Sequence, residues 1–364
     1  MIETDALLAL NMLPQTGPVR ARRLMEAFGG AAGVFKATAE QLQRVKGIGP
    51  ETAVIILDWE STVDLTGERS RMSEMGITLL TADDETWPEN LRQLHDAPLL
   101  LYVWGRVEPR DRMAIGVVGS RKATAYGLNC AKKFAFQLAH SGVTVLSGLA
   151  RGIDTAAHEG AVAAKGRTIA VIGSGIAKLY PPENRALCER IANGHGAIVS
   201  EFPLLTEPDK QTFPQRNRIV SGWSHGILVV EAPSWSGALI TANNAADQGR
   251  TIYAIPGPID RPSSMGCNKL IQNGARLVLD AADIIDDLNV LLPVQPELPA
   301  AAAPPNLSET EQKLWDALVE GETALDTIIG TTGLLAATVS AQLMRMELKR
   351  LVKQLPGRRY VRIS

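Results

Sequence analysis

Six short runs of apolar residues set what this chain can fold into: "AIGVVGS" from Ala114, "VTVLSG" from Val143, "TIAVIGSG" from Thr168, "GAIVSEF" from Gly196, "HGILVVEA" from His225 and "TIYAIPG" from Thr251. A strand with one wet face alternates apolar and polar residues. Runs that are apolar almost throughout belong to parallel strands covered on both faces. The segments between them, such as 125–140 and 149–164, have helical length. Repeated β-α units of this kind predict right-handed crossovers and a doubly wound, mostly parallel, Rossmann-like α/β sheet over residues 70–290. In such sheets ligands lie beyond the carboxyl ends of the strands, so the loops after the runs are where function is expected.

The flanks read differently. Residues 1–66 carry apolar residues at helical spacing and predict a small helical domain. "TGPVRARRL" (Thr16–Leu24) and "IGPETAVII" (Ile48–Ile56) form a weak repeat, each a Gly-Pro turn opening a helix, with proline where the first turn has no N–H partner to lose. The second copy has the form of a helix-hairpin-helix, for which Lys46 and Arg20 are candidate phosphate contacts; a plain bundle with two tight turns explains it equally. Residues 291–306 are rich in proline and alanine and predict an extended linker. In 307–364, a Ser308–Glu311 capping box, three helices and two short strands around a Pro-Gly turn give a winged-helix pattern. Its end, Ala341 to Ser364, holds seven Lys/Arg against one acid, so this unit is a candidate for DNA or for a protein partner.

The net charge of −2, from 37 Lys+Arg and 39 Asp+Glu, excludes a chain that is basic overall, so any polyanion-binding surface has to be local. Cys130, Cys188 and Cys267 are isolated and suggest neither a disulfide framework nor a zinc site. No apolar run approaches a membrane span and the first residues lack a signal-peptide pattern, so a cytoplasmic protein is expected. No Walker-type phosphate loop or metal-spaced acid cluster occurs near the glycine turns, and no cofactor, metal or catalytic residue is assigned.

The strand-end turns are "GSR" (Gly119, Ser120, Arg121), "SGLARGID" (Ser147–Asp154, with Gly148 and Arg151), "GSG" (Gly173, Ser174, Gly175), "PQRNR" (Pro214–Arg218) and "PSWSGALIT" (Pro233–Thr241). Small residues let backbone N–H groups approach an anion, and helix N-termini add partial positive charge. Several such turns with arginines on one sheet edge predict a groove for more than one phosphate. Arg216 and Arg218 offer planar forks and Asn217 a base-edge partner, although at least one of these arginines is expected to pair with Asp209, Glu201 or Glu231. Asp154 is expected to cap a helix, with His158 one turn on. Tyr180 is a candidate for stacking on a base or for covering the core. Asn184 joins the candidate set, and Lys165 and Lys178 are candidate backbone contacts or ordinary surface lysines.

The strings "GVVGSRKATAYG", "SGLARGIDTAAH", "AVIGSGIAKLYPPENRAL", "SEFPLLTEPDKQTFPQRNRIVSG", "LVVEAPSWSGALITA" and "IPGPIDRPSSMGCNKLIQNGA" together resemble the DprA/Smf family of DNA-processing proteins from about Met72 to Asp280. The resemblance implies a binding protein rather than an enzyme: single-stranded DNA held on the Rossmann-like domain, a homodimer, and loading of RecA on incoming strands in natural transformation. It also implies sterile-alpha-motif-like or helix-hairpin-helix and winged-helix flanks. Carried onto this chain, its DNA pocket is Gly119, Ser120, Arg121, Arg216, Asn217, Arg218, Ser236, Gly237 and Thr241. Leu270 and Ile271 are the expected dimer or RecA surface, with ordinary core as the other reading. The rival is a nucleoside-monophosphate phosphoribohydrolase-like enzyme, whose glycine loop "PSWSGALIT" resembles and whose carboxylate would be Glu231.

Overall fold

The computed structural model describes residues 1–291, 307–318, 323–348, 351–355 and 359–362. The chain divides into two compact units, Met1–Val290 and Leu291–Ser364. The linker reading falls mainly on 292–306, which lie outside the described residues.

In the first unit, the six apolar runs form β3 (Ala114–Val118), β4 (Thr144–Ser147), β5 (Thr168–Val171), β6 (Gly196–Ser200), β7 (Gly226–Val229) and β8 (Thr251–Ala254). Three further strands extend the sheet: β1 (Ile77–Thr81), β2 (Leu100–Gly105) and β9 (Arg276–Leu277). The order is β1-β2-β6-β5-β4-β3-β7-β8-β9. β3 to β9 pair in parallel, while β2 runs antiparallel to both β6 and β1. The chain winds from β3 outward through β4, β5 and β6, then returns to the other side of β3 with β7. The strand order therefore reverses between β3 and β7, and their loops part there.

Two apolar layers explain the unbroken runs. Ile115 and Val117 pack on one face with Phe134, Leu138 and Ile153, and Ala114 and Val118 pack on the other with Ile219, Val220 and Trp223. The helical segment at the amino end belongs to the same compact unit as the sheet. Leu8 shares a cluster with Tyr102 and Ile198, the Glu68 carboxylate accepts the Leu204 N–H at 2.7 Å, and Asn11 donates to the Glu201 carbonyl at 3.0 Å.

In the second unit, the helices Glu309–Ala317, Leu325–Thr332 and Ala336–Leu348 pack with β10 (Thr323–Ala324), β11 (Val352–Leu355) and β12 (Arg359–Arg362) in the order β10-β12-β11, a winged helix. The Ser308–Glu311 capping box forms as the sequence predicts. β10 is the strand the sequence reading missed; two residues carry no periodicity. Among the described residues, no single helix is long and apolar enough to cross a membrane.

Candidate functional site

The loops after β3, β4 and β7 meet at the switch point and, with the start of the Thr212–Trp223 helix and Pro262–Ser263, enclose an open cavity of about 720 Å³. Its charged lining residues are Arg121, Lys122, Lys210 and Arg216 against one acid, Asp154. A chain of net charge −2 thus concentrates four cations on one sheet edge.

Arg121 is exposed and makes no salt bridge among the described residues, and its guanidinium lies 5.1 Å from the centre of the Phe213 ring. Lys122 and Lys210 are also exposed and, among the described residues, have no ion-pair partner. Two N–H groups of the turn that carries Arg121 have partners within the fold. The Ser120 N–H donates to the Glu231 carbonyl at 2.7 Å, the Lys122 N–H donates to Ser120 Oγ at 3.1 Å, and the Ser120 carbonyl accepts from Ile153 at 3.2 Å. Gly119 is needed because a Cβ there would lie 2.5 Å from Ile153 Cγ1. The Ser120 and Lys122 N–H groups are spent on the fold, which leaves the Arg121 side chain, rather than those two donors of the glycine pattern, as the candidate anion contact of this turn.

Arg216 is the opposite case. It is buried under the groove and donates to the carbonyls of Gly148, at 2.5 Å, and Val171. Asp154, also buried, accepts from the N–H groups of Gly148 at 3.1 Å and Ala150 at 3.3 Å. It lies inside the Ile153–Ala163 helix and braces the loop before it, rather than capping the helix as expected. Burial pushes the Asp154 carboxyl up to about 6 against the pull of Arg216, and pulls the Arg216 guanidinium down to about 10. His158 is fully buried with Nδ1 2.7 Å from Thr168 Oγ1, and burial holds it near 3, a neutral core residue.

Several expected contacts are elsewhere. Arg218 pairs with Glu201 at 2.5 Å and Asp96 at 3.1 Å, as the expectation of an internal partner allowed, and does not line the cavity. Asn184 is buried, donating to the Leu149 carbonyl at 2.9 Å and Thr155 Oγ1 at 2.8 Å, so it holds the β4 loop instead of facing a ligand. Gly173, Ser174 and Gly175 are covered by protein. Gly173 packs on Phe213, and the Gly175 N–H donates to Thr206 at 2.9 Å. A Cβ at Gly175 would collide with the Pro203 and Leu204 carbonyls, so Gly175→Ala is expected to cost about 1–3 kcal/mol in urea denaturation. An unchanged midpoint would show that the turn is open after all. Lys165 follows the Ile153–Ala163 helix and precedes β5, which puts it at the amino ends of the strands, opposite the groove. Lys178 pairs with Glu207 at 2.7 Å. Arg20 Nη1 donates to the Gln15 carbonyl at 2.7 Å, and the Lys46 carbonyl accepts from Arg23 at 3.3 Å.

Ser236, Gly237, Thr241, Asn217 and Gly148 do line the cavity. Arg151 and Tyr180 border it through a row of side chains: Arg151 lies 5.6 Å from the Tyr180 ring, Tyr180 6.0 Å from Phe213, and Phe213 under Arg121. Arg151 is already matched by Glu183, with one contact at 3.2 Å. Sequence reasoning passed over Lys210, Phe213 and Trp235, which is 77% exposed at the cavity rim. For two of them the signal was an aromatic residue beside Gly, Ser and Arg, Phe213 at the start of the Thr212–Trp223 helix and Trp235 in the loop after β7; Lys210 carried none. Leu270 and Ile271 are half-buried against the sheet core.

Glu231, the carboxylate of the enzyme reading, is buried and turned away from the cavity. It accepts the Thr124 N–H at 3.1 Å and the Thr124 hydroxyl at 2.9 Å, at the start of the Ala125–His140 helix.

Comparison with known proteins places this architecture. The DNA recombination-mediator protein A family matches residues 78–289, and the DprA winged helix domain matches 298–358. The chain belongs to the DprA/Smf family. Protein Smf of Synechocystis is 34% identical, the match covering 98% of each chain. Protein Smf of Escherichia coli is 38% identical over 78% of this chain and 77% of its own. The structure of DprA from Streptococcus pneumoniae superposes with a TM-score of 0.68 at 31% identity, over 79% of this chain and 99% of that one. DprA from Helicobacter pylori, whose structure describes a single-stranded DNA binding mode, gives a TM-score of 0.53 at 27% identity, over 59% and 97%.

Proposed function

We propose that this protein binds single-stranded DNA in the groove at the β3/β7 switch point, protects incoming strands and loads RecA on them in natural transformation, acting as a homodimer with Leu270 and Ile271 at or beneath the shared surface. The observation that carries the DNA reading is the convergence in one cavity of three exposed cations that have no ion-pair partner among the described residues, Arg121, Lys122 and Lys210, with Arg121 over the Phe213 ring. Cations along a groove follow a phosphate backbone, and an aromatic face accepts any base. The single-stranded DNA binding described for the Helicobacter pylori relative supports the same reading. Binding without chemistry fits a site whose one lining acid, Asp154, is buried and braces a loop.

The test is strand binding against salt. Single strands are expected to bind more tightly than duplex, because one row of cations matches one backbone. Log affinity is expected to fall with log salt by about 0.7 for each phosphate contacted. Equal affinity for duplex, or binding indifferent to salt, would overturn the reading.

A further inference from the structure

Ser263 lines two cavities, the one described above and a second of about 730 Å³ bounded by Thr124, Tyr126, Pro256, Pro258, Arg261 and Ser264. Tyr126 is 51% exposed, and its hydroxyl donates to the Pro256 carbonyl at 3.2 Å, which holds the ring in place. The chain opposite is also fixed: Gly257 and the Asn268 side chain exchange hydrogen bonds of 3.1 and 2.9 Å, and Arg261 is set by a turn from Pro258, its N–H donating at 3.2 Å. The Arg261 side chain is exposed and makes no salt bridge among the described residues. No carboxylate lines this cavity, and Asp260, its neighbour in sequence, is not among the lining residues. At the start of the Ala125–His140 helix the Gly127 N–H donates to Thr124 Oγ1 at 3.2 Å, and Thr124 is held by Glu231. The charged group that an anion meets in this cavity is Arg261.

We propose that this second cavity is a subsite for a further nucleotide of the same single strand, which crosses Ser263 from the first cavity, stacks a base on Tyr126 and places its phosphate at Arg261. The proposal rests on the reading of the first cavity as a strand-binding groove. A fixed aromatic face beside an unpaired guanidinium, continuous with a cationic groove and free of acids, offers a nucleotide both contacts it needs. One small side chain, Ser263, is common to both cavities, so the two adjoin there.

Oligothymidylates short enough to fill one cavity, and others long enough to fill both, separate the two sites by fluorescence anisotropy. Tyr126→Ala is expected to weaken the long strand roughly 5- to 100-fold and leave the short one unchanged, with Tyr126→Phe close to wild type. Arg261→Ala, at an exposed position where folding is not at risk, is expected to lower the salt slope of the long strand alone by about 0.7. If Tyr126→Ala and Arg261→Ala both bind the long strand as wild type does while Arg121→Ala binds poorly, the subsite is overturned and the first groove stands. If Arg121→Ala also binds like wild type, the reading of the first cavity fails and this proposal fails with it.

Discussion

Arg121→Ala is expected to weaken single-stranded DNA binding by roughly 1.5–3 kcal/mol, a loss of about 10- to 100-fold, without lowering the stability of the fold. Both halves follow from its surroundings. The guanidinium is exposed and has no carboxylate partner, so alanine leaves no buried charge behind. It lies over Phe213 at the rim of the cavity, so the charge is held where a backbone would pass. Lys353→Ala, at an exposed position on β11 of the winged helix, is the comparison. A lone solvated lysine contributes less than a cation placed against a ring, because water and salt screen it. Anisotropy titrations of both variants at one salt concentration, with urea denaturation alongside, measure the contrast. Equal losses would move the main strand contact into the winged helix.

That prediction falls on Arg121 and not on its fellow arginines for a reason the sequence does not contain. Arg121, Arg151, Arg216 and Arg218 all read in the sequence as strand-end turn residues beside small or polar neighbours, and by pattern they are equivalent, although Arg216 and Arg218 stand inside the Thr212–Trp223 helix. Which of them stays free depends on residues distant in the chain. Glu201 and Asp96 reach Arg218, Glu183 reaches Arg151, and the carbonyls of Gly148 and Val171 take Arg216. The strand runs were legible because burial on both faces leaves no polar period to misread. β1 and β2 were not, because they join as an antiparallel extension outside the β-α repeat, and β9 has only two residues. The "GSG" turn carries the composition of a phosphate loop, yet Pro203, Leu204 and Phe213 fill the space a phosphate would need. Composition locates the functional edge of the sheet, and tertiary neighbours decide which of its residues remain available.

Arg216→Leu is expected to lower stability by about 3–5 kcal/mol, from the Gly148 and Val171 carbonyls left without their donor and the buried Asp154 carboxyl left without the guanidinium charge near it. Asp154, which feels that charge without forming an ion pair with it, stays buried with two backbone N–H groups from Gly148 and Ala150. The loss has a pH signature. The Asp154 carboxyl in the folded protein lies near 6, above its ordinary 3.8, because burial outweighs the attraction of Arg216. A folded-state value above the unfolded one means that folding takes up a proton between the two. The contribution of Asp154 is therefore most favourable below about 3.8, declines as pH rises towards about 6 and is flat beyond. Without the guanidinium the carboxyl moves higher still, so the decline continues above pH 6. The deficit of Arg216→Leu against wild type, read from urea midpoints, is thus expected to be larger at about pH 8 than at about pH 5. Adding Asp154→Asn removes the charge and is expected to return part of the loss and abolish the extra slope, a coupling that a double-mutant cycle measures directly. A deficit that is the same at both pH values and untouched by Asp154→Asn would assign the role of Arg216 to its bonds with the Gly148 and Val171 carbonyls, which tie the ends of β4 and β5 together beneath the groove whatever the charge of Asp154.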